Sequence, residues 1–173
     1  MIRRFMLVIV AGGLSMAWAA DRGPESAAAP RVFTAEQARA GKVAYESSCG
    51  LCHQFNLRGR TGAPGELPDI NTLPQNMLKT VDQYGGQVPP LVGPRFMARW
   101  GAKSTQEYID RVDNAVGGFP PSGMVLGDPA ARRLTVLQVT AYFLMMNGGK
   151  PGKVPLSAGI TATLNNVTAQ PAH

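Results

Sequence analysis

Cys49-Gly50-Leu51-Cys52-His53 is the stretch of this 173-residue chain best equipped for chemistry. Two thiols three positions apart share one side of a helical turn, and an imidazole follows at once. That set can attach a haem covalently, with both sulfurs along one edge of a porphyrin and His53 as proximal iron ligand. Three other chemistries compete for the same thiols. A structural zinc site needs four ligands, and beyond these three the chain offers only His173 at its far end. A thiol–disulfide oxidoreductase uses the same Cys-x-x-Cys spacing between a strand and a helix. Here the motif follows a helix-forming stretch, and few segments nearby read as strands. A plain disulfide at this spacing would close a very short ring.

The elements that must position the motif are helical by pattern, which makes the fold class all-α. Thr34-Ala35-Glu36-Gln37 is a capping box, and the helix it opens runs to about Ser47 and delivers the chain to Cys49. Ala38, Gly41, Ala44, Tyr45 and Ser48 share one face of it, and Gly41 allows another helix to come close. A short helix is expected from about Pro74 to Tyr84, with Met77, Leu78 and Val81 apolar. Ser104-Thr105-Gln106-Glu107 is a second capping box, opening a helix with Tyr108, Ile109, Val112 and Val116 on one side. Thr135-Val136-Leu137-Gln138 repeats the pattern before a last helix that stops at Asn147-Gly148-Gly149. Asp128-Pro129 offers that helix an earlier start. Met145 and Met146 are expected in its core-facing part.

Outside these elements composition sets the divisions. Residues 1–20 carry Arg3 and Arg4, an apolar run and Ala17-Trp18-Ala19, the pattern of a cleaved secretory signal. The run is shorter than the roughly 20 apolar residues a spanning helix needs, so no stable membrane insertion is expected after cleavage. Residues 21–33 read as a linker, residues 34–149 as one domain, and residues 150–173 as a flexible tail. Residues 59–90 are rich in Gly, Pro, Asn and Asp, and read as a surface excursion for partner contact. The net charge is +6, from 17 Lys and Arg against 11 Asp and Glu. That is a weak bias toward acidic partners. No basic run or nucleic-acid motif is present, so nucleic acid is set aside.

Taken together, Gly41-x-x-x-Tyr45, Cys49-x-x-Cys52-His53, Pro89-Pro90-Leu91-Val92-Gly93-Pro94, Phe96-x-x-x-Trp100-Gly101 and Ala141-Tyr142-Phe143-Leu144 before Asn147-Gly148 resemble the class I c-type cytochromes. The likeness is to the small periplasmic monohaem members that serve dehydrogenases, and it covers most of residues 34–149. It implies several short helices wrapped around one covalent haem c. It also implies periplasmic localisation and a one-electron carrier rather than an enzyme. A dehydrogenase or other redox protein would be the donor, and a terminal oxidase or another cytochrome the acceptor. Gly41, Tyr45 and Tyr142 would form the contact of the first and last helices. A proline carbonyl would orient His53, with Pro90 the candidate and Pro64 and Pro94 the alternatives. The family's axial methionine lies in the loop before the last helix, often as Met-Pro. This chain has Phe119-Pro120 there, which leaves Met124 in the same loop, Met97 next, or an open iron. An open iron would suit a small-ligand sensor or a peroxidase-like enzyme, and a haem subunit of a dehydrogenase complex is a further alternative.

Overall fold

The computed structural model describes residues 28–60, 70–83, 85–118 and 128–168. The described residues are mostly helical and contain no strand. They form α1 (Ala35–Ser48), α2 (Gly50–His53), a 3-10 turn (Ile70–Thr72), α3 (Gln75–Gln83), α4 (Pro94–Trp100), α5 (Thr105–Gly118), α6 (Pro129–Met146) and α7 (Leu164–Thr168). Residues 1–20, Pro64, Phe119 and Met124 lie outside the described residues.

Local signals account for most helix starts. Thr34 Oγ1 accepts from the Gln37 backbone N–H while the Gln37 side chain accepts from Thr34 N, closing the capping box of α1. Ser104 and Glu107 make the same reciprocal pair ahead of α5. α6 takes the earlier of its two starts. Asp128 caps Ala130 and Ala131, Pro129 occupies the first turn, and Thr135 sits mid-helix with its hydroxyl bonded back to the Ala131 carbonyl.

α1 and α6 form the principal helix contact, and α5 packs on α6. Gly41 makes the first contact possible. A Cβ built there would lie 1.9 Å from the Gln138 carbonyl oxygen and 2.9 Å from Val139 N. One turn further, the rings of Tyr45 and Tyr142 stand 5.5 Å apart, and Tyr45 meets Phe143 edge-on. Tyr108 on α5 continues this layer to Phe96 and Trp100 of α4. Around it lies the main core, which includes Ala38, Tyr45, Ile109, Val112, Val116, Val136, Val139 and Leu144. A second, smaller cluster of Leu73, Val81 and Val88 is built by residues 70–88. Met145 packs against the main core, whereas Met146 is exposed, contrary to expectation.

Two boundaries are corrected. Phe33, placed in the linker, is fully buried in the core. The expected flexible tail is packed through Thr168: Leu156, Leu164 and Val167 are core residues. Gly152 N donates to the Phe33 carbonyl, Leu156 exchanges bonds with the Gln37 amide, and Leu164 N donates to the Lys103 carbonyl. Three apolar side chains and these paired backbone groups offset the entropy of ordering a segment of otherwise polar, Pro-rich composition.

Candidate functional site

Cys49 is both the last cap of α1 and the first of α2. Its N–H donates to the Tyr45 carbonyl at 2.7 Å, and its own carbonyl accepts from His53 N at 2.9 Å. One turn of helix therefore carries Cys49, Cys52 and His53. Both cysteines are free thiols and half-buried. Cys49 packs against the main core and Cys52 against the smaller cluster. The Cys52 thiol also lies 3.8 Å from the Met77 sulfur of α3.

The chain then turns sharply. Gln54 has φ of +68°, an uncommon setting for a residue with a side chain, and the surroundings hold it from three sides. The Tyr45 hydroxyl donates to its carbonyl at 2.5 Å. Leu57 N donates to the same carbonyl. With its amide turned so that the oxygen faces the guanidinium, the orientation that donor–acceptor pairing requires, the Gln54 side chain accepts from Arg60 Nη2 and Nε at 2.6 and 3.0 Å. Arg60 is itself buried, and it also donates to Thr72 Oγ1 and the Leu51 carbonyl. Burial, first of all, pushes the Tyr45 pKa up, so its hydroxyl stays a neutral donor.

His53 Nδ1 lies 3.0 Å from the Pro89 carbonyl oxygen. A carbonyl only accepts, so Nδ1 carries the proton and Nε2 keeps its lone pair. The expected partner was Pro90; the structure moves the role back one residue. Val88 and Arg60 exchange backbone hydrogen bonds at 2.8 Å in both directions, which commits the Val88 carbonyl to Arg60. Carbonyls alternate along extended chain, so the next one, on Pro89, faces the opposite way, toward His53. Gly59 permits the approach. Its φ is +69°, and a Cβ there would lie 2.3 Å from the Val88 oxygen and 2.7 Å from the Pro89 carbonyl. Gly59 and Arg60 escaped the sequence reading, because their partners lie across a turn and a long segment. Burial is the main cause holding the His53 pKa below its ordinary value; the Pro89 bond acts the other way, and the Arg111 charge lowers it again.

Burial pushes the Cys49 thiol up to about 11 and raises Cys52 as well, with Arg60 partly opposing it. A redox-active dithiol needs the reverse shift. Among the described residues no three His, Cys, Asp or Glu side chains are arranged to hold a metal ion, and His173 lies outside them. Met97 is buried in the main core on α4. No described helix is long and apolar enough to cross a membrane. The chain matches no protein-family model, no curated protein and no solved structure.

Proposed function

We propose that this chain is a periplasmic one-electron carrier of the class I c-type cytochrome kind, holding a single covalent haem c. One observation carries the reading. Two unpaired thiols share a helical turn with an imidazole whose Nδ1 is tied to the Pro89 carbonyl, so that Nε2 is the nitrogen left to bind a metal.

The residues fit the group. Cys49 and Cys52 would hold haem through thioether links, and His53 Nε2 would ligate the iron; bound there, the iron supplies a reversible one-electron change. The two cysteines stand against different apolar clusters, so a flat apolar group joined to both sulfurs would bury surface against each. Tyr45 holds the backbone beyond His53 in its strained turn, Arg60 holds the Leu51 carbonyl before it, and Pro89 fixes the tautomer and raises the basicity of Nε2. Met124 is proposed as the distal ligand. Met97, being part of the packed core, is the weaker candidate. A periplasmic dehydrogenase or other redox protein is proposed as donor, and a terminal oxidase or another cytochrome as acceptor.

The experiment is an absorption spectrum of the haem-loaded protein in both redox states, with and without carbon monoxide. A carrier with both axial positions filled changes reversibly between two spectra and resists carbon monoxide. Rapid carbon monoxide binding by the wild type would replace this reading with that of an open-site sensor or peroxidase-like enzyme.

A further inference from the structure

We propose that Asn147, at the end of α6, is a positioning residue for the His53 imidazole and acts on it through residues 88–93. The inference rests on the haem reading for its consequence, but not for its geometry.

Asn147 is buried, and its amide is fully used. Nδ2 donates to the Phe143 carbonyl of α6 and to the Leu91 carbonyl, both at 2.9 Å. Oδ1 accepts from Gly93 N at 3.2 Å. The helix does not need this side chain to terminate. Gly148, at φ +101°, reverses the chain, and the N–H groups of Gly148 and Gly149 reach the Met145 and Leu144 carbonyls. The amide therefore grips the loop rather than merely closing the helix.

That loop carries the Pro89 carbonyl. Val88 is pinned to Arg60, and Leu91 N donates to the Leu57 carbonyl. Between these anchors stand Pro89 and Pro90, which have no N–H and cannot tie themselves down. The position of the Pro89 oxygen is thus set by its two flanks. Asn147 holds the far flank at two points, Leu91 O and Gly93 N. Releasing it lets the Pro89 carbonyl recede and weakens the Nδ1–H···O bond. A weaker bond makes Nε2 a poorer donor, which disfavours the ferric state.

The test compares Asn147→Ala and Asn147→Asp with Leu156→Ala, which removes core packing elsewhere. Two quantities are read: the NMR frequency of the His53 Nδ1 proton, and the midpoint potential of the haem-loaded chain. Both Asn147 variants should move the proton upfield, and Asn147→Ala should also raise the potential; the carboxylate of Asn147→Asp favours the ferric state by its own charge, so that variant is read by the proton. The expected size is about a tenfold change in the ferric-to-ferrous preference, about 59 mV for one electron. Leu156→Ala should lower thermal stability and leave both unchanged. Asn147 variants that lose stability with proton frequency and potential unmoved would overturn the proposal. If Asn147→Ala does not fold, Asn147→Asp decides, since it keeps the acceptor for Gly93 N. The proton is read equally in haem-free chain, so a protein without covalent haem would refute the proposed function while the Asn147 grip still stood or fell on its own result.

Discussion

Replacing Gly41 with alanine adds one methyl group where α1 crosses α6. That group would lie 1.9 Å from the Gln138 carbonyl oxygen and 2.4 Å from its carbon. Ordinary contact begins near 3.4 Å, so the helices must separate locally by more than an ångström. The obstacle is helix backbone, which cannot rotate away as a side chain can. Overpacking of this kind costs about 1–3 kcal/mol, and a rigid obstacle puts it at the upper end. Alanine returns up to about 1 kcal/mol of helix propensity. The net expectation is a loss of about 2 kcal/mol, or roughly 4–8 °C in Tm for a chain of this size. Thermal unfolding followed by far-ultraviolet circular dichroism, with wild type and variant in the same haem state, reads this directly. An unchanged or higher Tm would refute the claim that the two helices depend on backbone contact at Gly41.

Removing residues 150–173 should destabilise the protein strongly, because it uncovers the core around Leu156, Leu164 and Val167; denaturant unfolding of the shortened chain checks this, and an unshifted midpoint would restore the flexible-tail expectation. Met97→Ala should cost about 2–5 kcal/mol by leaving a cavity in the main core while preserving any sulfur-to-iron charge-transfer band; loss of the band would make Met97 the distal ligand. In haem-free chain, alkylation of Cys49 should stay slow at pH 8 and accelerate only as pH nears 11, since the thiolate is the reacting form and burial disfavours it. Fast labelling at pH 8 would revive the dithiol reading.

What could be read in advance was mostly local. The capping boxes at Thr34 and Ser104 act within four residues, and both helices begin where they indicate. The face of Tyr108, Ile109, Val112 and Val116 is buried as its period requires. Thr135 misleads because the same pattern can lie inside a helix once Asp128 and Pro129 have started it. The site residues that escaped notice are held by distant partners. Gly59 matters only because Val88 and Pro89 return to it, and Asn147 only because Leu91 and Gly93 pass beside it. Residues 59–90 read on composition as a surface excursion for partner contact. Within them, α3 lays Met77 on Cys52 and Val81 into a core of its own, so deleting α3 would expose the cysteine turn.

The central claim is that Cys49 and Cys52 carry a haem, and the most direct measurement is the intact mass of the full chain exported with haem available and then denatured. The account predicts a mass increased by one haem that survives denaturation, and that is lost as a covalent adduct when both cysteines are replaced by serine. A denatured wild-type chain whose mass is that of polypeptide alone, with any colour released on acid–organic extraction, would contradict it.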